Sequence, residues 1–322
     1  MASYYTNAPD AFPKRTAPHV NGVVLSQPIG ARPPVLWALR IVWVTLPLTA
    51  GPAVSTALRA WADAPELVAE VLLWVSWATG LLAALAPRPL SLTAVRVIAP
   101  AYVVVAIVAV VDGSPSTIAS VGALVATVVA LALASTHDLG LASANALAYG
   151  DEQRVLLRTP PALFLGPLPI ARLVLAAAAS VPLLLLADEQ WVIGVITLVL
   201  AVPAGIVLAR ALHGLSRRWG VLVPAGFVIA DPLTLSDPVL FLRERIMSMH
   251  AADAAPVPPD VLDLRLGAGA GSVALVFDEA AELGRRAGRG ASETVAAREL
   301  RFSVARRDAF LSAAGARRIR VT

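Results

Sequence analysis

Three arginines stand inside otherwise apolar stretches of this chain: Arg40, Arg96 and Arg172. Each follows a proline by a few residues, and the strings Leu39-Arg40-Ile41-Val42, Val95-Arg96-Val97-Ile98 and Ala171-Arg172-Leu173-Val174 are alike. A guanidinium among apolar residues has two chemical outlets. It can snorkel to phosphates at a lipid interface, or several can share an anionic-lipid pocket. Arg172, about ten residues into its apolar run (Ala162–Ala187), is expected to lie deepest and to face protein, water or an anionic headgroup. Glu70 is the one acid inside a run, and at helical spacing it shares a face with Trp74 and Trp77. Such a carboxylate suits proton or cation coupling, although near an interface it is ordinarily just hydrated.

Other constellations carry less. His137-Asp138 is half of an acid–base device, but no nucleophile or metal-ligand partner stands at a supporting distance, and the four histidines are scattered. Gly267-Ala268-Gly269-Ala270-Gly271 imitates a phosphate-cradling loop. That mechanism needs a helix after the glycines, whereas the extended-looking Val273–Phe277 follows, so a hairpin turn is expected. Asp231-Pro232 and Asp237-Pro238 read as turn initiators. The sequence contains neither a His-Glu-x-x-His string nor paired aspartates within its apolar runs. With no cysteine in 322 residues, disulfides, thiolate metal sites and cysteine nucleophiles are excluded. No catalytic residue, cofactor or metal is predicted, and the reading points away from an enzyme.

The elements that position these residues follow from composition. Hydrophobic residues make up 57% of the chain and charged ones 15%, against roughly 25% charged in an ordinary soluble domain. Six apolar runs, near residues 34–58, 67–86, 92–111, 117–135, 162–187 and 191–209, each approach the roughly 20 residues that cross a bilayer. Prolines at Pro47, Pro52, Pro100, Pro182 and Pro203 interrupt four of them, and kinks are expected there. Lys14, Arg15, Arg32, Arg88, Arg154, Arg158, Arg210, Arg217 and Arg218 fall on one side of the runs. Asp63, Glu66, Asp112, Asp188 and Glu189 fall on the other, with Arg59 as the lone arginine there. Positive residues mark the cytoplasmic side, which predicts a multi-pass protein of the plasma (inner) membrane with both termini inside and no signal peptide.

Residues 1–33 read as a flexible cytoplasmic tail, 34–212 as a six-helix transmembrane domain with a cytoplasmic connector at 136–161, and 213–322 as a cytoplasmic α+β domain. In the last segment, Val221–Val223, Pro224-Ala225-Gly226 and Phe227–Ile229 spell a hairpin. Leu262, Leu264 and Leu266 alternate with polar residues, as do Leu300, Phe302 and Val304, and Asp308–Ala316 closes as a helix. Ten arginines follow Leu283 against Glu293, Glu299 and Asp308. Arg285, Arg286 and Arg289 are expected in a mobile glycine-rich loop, and Arg317, Arg318 and Arg320 in a basic end. Both clusters are candidate contacts to an anionic membrane surface. Few aromatics are available to stack bases, which argues against nucleic acid as a partner.

The order of strands and closing helix in this segment resembles the pleckstrin-homology-like fold, a bent sheet closed by a C-terminal helix. Val221-Leu-Val-Pro-Ala-Gly-Phe-Val-Ile-Ala-Asp-Pro-Leu, Asp237-Pro-Val-Leu-Phe-Leu-Arg and Tyr149-Gly-Asp-Glu-Gln-Arg resemble recurring segments of uncharacterised actinobacterial multi-spanning membrane proteins, a likeness that implies location and no activity. The expected function is a membrane-anchored, non-enzymatic scaffold or regulatory subunit whose C-terminal domain engages a protein partner or the inner-leaflet surface. The alternative is a transporter or lipid-handling protein using an anionic-lipid site near Arg40, Arg96 and Arg172.

Overall fold

The computed structural model describes residues 34–164, 166–288 and 291–322. The N-terminal stretch before Pro34 and Arg289 lie outside the described residues. The chain begins with helices α1 (Pro34–Thr49), α2 (Gly51–Leu58), α3 (Asp63–Leu85), α4 (Pro89–Gly113) and α5 (Thr117–Ser135). A connector follows: α6 (His137–Asn145), strand β1 (Gln153–Leu156) and the single turn α7 (Pro161–Phe164). Helices α8 (Pro167–Ala187) and α9 (Trp191–Leu215) complete the helical part. With α1 and α2 counted as one stretch, six helical segments are long and apolar enough to cross a membrane.

Local chemistry sets the boundaries. Proline opens the first turns of α2, α4 and α8, where its missing N–H costs nothing. The Ser116 and Thr136 hydroxyls each accept an amide of the helix they precede, at 3.3 Å. Pro47 stays inside α1, and the break from α2 falls at Ala50. There the backbone (φ −100°, ψ −27°) remains near helical values, a kink rather than an unwound segment. Helix α8 starts later than its apolar run, because Gly166 and Pro167 restart the chain after α7. Arg172 is therefore the sixth residue of α8, while Arg40 is the seventh of α1 and Arg96 the eighth of α4. Arg172 thus stands earlier in its helix than in its apolar run.

Small residues let α1, α3, α4 and α5 pack closely. Leu39 and Trp43 of α1 are fully buried against Ala83, Ala84, Ala99, Ala130 and Ala134. The Trp43 indole N–H donates to the carbonyl of Trp77 (2.9 Å), and the Trp77 indole donates back to the carbonyl of Trp43 (2.8 Å). Gly80 lies directly under the Trp43 ring, and Tyr102 stacks on it at 5.8 Å. The α8–α9 hairpin is less enclosed: Leu168, Pro182, Gly194 and Leu212 are its buried residues among those described.

Strands β2 (Trp219–Val223), β3 (Gly226–Ala230), β4 (Val239–Leu242), β5 (Ile246–Ala251), β6 (Val261–Asp263), β7 (Ser272–Arg286) and β8 (Ser292–Ser303) precede helix α10 (Arg307–Ala316). One four-stranded sheet is the antiparallel series β1-β2-β3-β4, and the second has the order β5-β7-β8-β6. The connector thus supplies an edge strand, with Gln153 opposite Leu222 and Leu156 opposite Trp219. Phe227, Phe302 and Phe310 meet in the core with ring centroids 5.3–5.8 Å apart, and Phe241 stacks on Phe277 at 4.6 Å.

The β2–β3 hairpin forms as expected, turning at Pro224-Ala225. Two expectations are corrected. The Gly267–Gly271 segment is no hairpin turn, since β6 runs parallel to β8 and β7 lies between β5 and β8. It is a crossover, and Gly271 (φ +73°) has no room for a Cβ against the Val304 carbonyl. Arg285 and Arg286 end β7 rather than occupying a loop, paired in register with Glu293 and Ser292. The backbone of β7 and β8 stays hydrogen-bonded past a register shift between Val276 and Ala281, so polar residues there form an extended hairpin.

Candidate functional site

Three arginines gather around one cavity where α4 and α8 begin, α5 and α9 end, and the connector meets the sheets. A cavity of about 610 Å³ is lined there by Arg96, His137, Arg158 and Arg172, with Thr93 and Ser216 among the other polar side chains. Each cation is set by a different element. Arg96 projects from α4 and donates from Nε to the Ala134 carbonyl (3.1 Å) and from Nη2 to the Thr136 carbonyl (3.1 Å). It thereby satisfies the last carbonyls of α5, which have no partner within their own helix.

Arg158 is positioned by its backbone. Its N–H donates to the Ser303 carbonyl (2.8 Å), and its carbonyl accepts from Arg218 Nη1 (2.9 Å). Its Nε is buried without a hydrogen-bond partner among the described residues. Arg172 is half-buried near the start of α8 and makes no side-chain hydrogen bond among the described residues. The Thr93 hydroxyl donates to Ser216 Oγ (3.0 Å), tying α4 to the end of α9. Arg158 Nε and the Arg172 guanidinium are therefore free donors of this space among the described residues.

His137 opens α6 on the same wall. Burial pushes its imidazole below the ordinary value of 6.5. Arg306, Arg96 and Arg158 add to that, and Asp138 opposes it. The linkage has a definite sign. Below pH 6.5 an unfolded chain takes up a proton that folded His137 refuses, so stability falls as pH drops through that value and is recovered above it. A histidine-selective NMR titration should show the His137 midpoint below 6.5. A midpoint at or above it would mean that the ring is solvated.

The three arginines singled out in the sequence separate. Arg96 and Arg172 share the cavity, whereas Arg40 donates to the end of α3, at the Ala84 (3.0 Å) and Leu85 (3.3 Å) carbonyls, and stacks over Trp37 at 4.9 Å. Arg158 joins the site and was read from sequence only as an orienting charge. Asp138 turns from His137 to Arg306, at 2.6 Å. Glu70, Trp74 and Trp77 do share a wall, that of an apolar cavity of about 500 Å³ beside the α1–α2 kink, with Pro47 and Tyr102.

The basic surface residues lie on separate elements. Arg285 pairs with Glu293 at 3.6 Å, and Arg286 donates to the Leu235 carbonyl at 3.2 Å. Arg317 holds the connector through Gln153 (3.0 Å) and the Asp151 carbonyl (2.8 Å). Arg318 takes a left-handed turn (φ 64°), and the Arg320 carbonyl accepts the Met249 N–H at 2.8 Å. One pair escaped the sequence reading altogether. Buried Arg218 grips buried Asp231 with two hydrogen bonds of 2.8 and 2.7 Å and also donates to the Leu264 carbonyl at 3.0 Å. Among the described residues no three His, Asp or Glu side chains gather as metal ligands. Comparison with protein families, with curated proteins and with solved structures finds no match to this chain.

Proposed function

We propose that the chain is an integral protein of the inner membrane, with both ends in the cytoplasm, acting as a scaffold that holds its sheet domain at the inner end of the helices. The observation that carries this reading is the fusion of the two parts. Strand β1 leaves the helical part to complete the first sheet, Arg317 holds the connector, and Asp138 pairs with Arg306. A domain used as a loose tether needs none of these contacts, while one that presents a surface in fixed orientation does. The element order of two sheets and a closing helix supports the pleckstrin-homology-like reading of that domain.

Topology is open to a direct test because the chain contains no cysteine. A membrane-impermeant maleimide applied to intact cells should label Ser114→Cys and Gln190→Cys, in the α4–α5 and α8–α9 turns. It should reach Tyr149→Cys and Ser292→Cys only after lysis. The reverse pattern would invert the orientation, and extraction of the chain by alkaline carbonate would sink the membrane assignment. For the scaffold role, β1 and residues 217–322 would be exchanged together for an unrelated fold; survival of every partner interaction and phenotype would refute it.

A further inference from the structure

Three guanidinium groups reach one cavity from three elements: Arg96 from α4, Arg158 from the segment after β1, and Arg172 from α8. No aspartate or glutamate lines that cavity among the described residues. Like charges gathered in a half-buried space repel one another more strongly than they would in water, and an anion between them reverses the sign of the interaction. Outside the cavity the buried and half-buried arginines among the described residues all find partners, while those without one are exposed to solvent. Arg218 has Asp231, Arg265 has Asp263, Arg301 has Glu299, and Arg40 has the carbonyls of α3. In the cavity, Arg96 spends two donors on α5, while Arg158 Nε and the whole Arg172 guanidinium stay unpaired among the described residues.

We propose that this cavity binds a phosphate-bearing anion, a phosphate ester held by Arg96, Arg158 and Arg172. Three cations with planar donor forks suit a tetrahedral group that carries several strong acceptor oxygens, more than they suit a single carboxylate. The volume of about 610 Å³ exceeds what a bare phosphate ion fills and lies within the ~300–1,000 Å³ of small-molecule sites. Leu131, Leu156, Leu168 and Leu212 give the cavity an apolar wall for the rest of the ester. A phospholipid headgroup and a soluble phosphate ester share this chemistry. The inference does not depend on the scaffold reading.

The test uses the full chain purified in neutral detergent, with thermal unfolding followed against inorganic phosphate, glycerol 3-phosphate, and mixed micelles of phosphatidylglycerol or phosphatidylcholine. A ligand that binds the folded state raises the midpoint. At least one phosphate probe should raise it beyond matched chloride or zwitterionic phosphatidylcholine. Apparent affinity should fall about tenfold or more in Arg172→Gln and in Arg158→Gln. The double variant Arg285→Gln/Arg286→Gln, away from the cavity, should bind like the original protein. A response to glycerol 3-phosphate or phosphate identifies a soluble ligand, and a response to phosphatidylglycerol alone identifies a lipid headgroup. The proposal is overturned if no probe shifts the midpoint, or if the shift survives both cavity substitutions. Equal loss in the Arg285/Arg286 variant would also overturn it, by showing diffuse charge attraction. Without ligand, Arg172→Gln should unfold no earlier than the original protein, since it removes repulsion and no hydrogen bond.

Discussion

Asp231→Ala is expected to destabilise the sheet domain by about 3–5 kcal/mol, because it strands a buried guanidinium without its counter-ion. Arg218 and Asp231 expose 1% and 0% of their side chains, so water cannot take the place of the lost carboxylate. The substitution also removes the acceptor of the Leu233 amide, at 3.1 Å. For a domain of this size the loss corresponds to a midpoint lower by ~10 °C or more. Removing both charges, as Arg218→Met with Asp231→Leu, should cost far less than the single change, since the desolvation penalty disappears with the pair. Thermal unfolding of the full chain, with limited proteolysis of the sheet domain as readout, decides the matter. A single variant as stable as the original would show that Arg218 finds water or another acceptor.

Trp43→Ala should loosen the helical part by a similar amount, about 3–5 kcal/mol for a fully buried indole. The ring fills the space between α1, Gly80 and Tyr102, and its N–H is half of the reciprocal Trp43–Trp77 arrangement. Gly80→Ala tests the same contact from the other side. A Cβ there falls within the Trp43 ring, which its hydrogen bond holds in place, and overpacking of this kind costs about 1–3 kcal/mol. Shortening the ring in Gly80→Ala/Trp43→Leu should recover part of the loss, a coupling that a double-mutant cycle measures. Strict additivity of the two changes would disprove the contact.

The helical part was legible in the sequence because each apolar run is long and bounded by proline, glycine or charge. Thr117–Ser135 emerges with the same ends, and Pro167 explains where the fifth run differed. The closing helix and the β2–β3 turn were legible for local reasons too. What escaped depends on partners far along the chain. Four residues of β1 carry no strand signal of their own and gain structure only by lying against Trp219–Leu222. The parallel partner of β6 sits on β8, beyond the reach of any turn rule. The strand signal stopped at Phe277, yet Arg245 pairs with Glu279 and β7 continues to Arg286, where a glycine-rich loop had been expected. At the site, Arg96 and Arg172 stood out for their apolar neighbours. Arg158 did not, because backbone bonds to Ser303 and Arg218 place it. Asp231 was recognised as a turn initiator, which it is, accepting the amides of Thr234 and Leu235 on its carbonyl. Nothing in its neighbourhood announced Arg218.

The insertion of β1 into the first sheet also fixes an order of events during synthesis. Strand β1 leaves the ribosome before α8 and α9, and its partner β2 leaves after them. In the proposed topology the two strands can meet only if the intervening hairpin has entered the bilayer and returned to the same face. A hairpin that crossed once would deliver β2 to the opposite compartment, leaving β1 with an open edge and Leu222 and Phe227 without a closed core. In that topology completion of the sheet would report on successful threading of the last two helices, and a nascent chain that fails would carry an exposed strand edge open to aggregation.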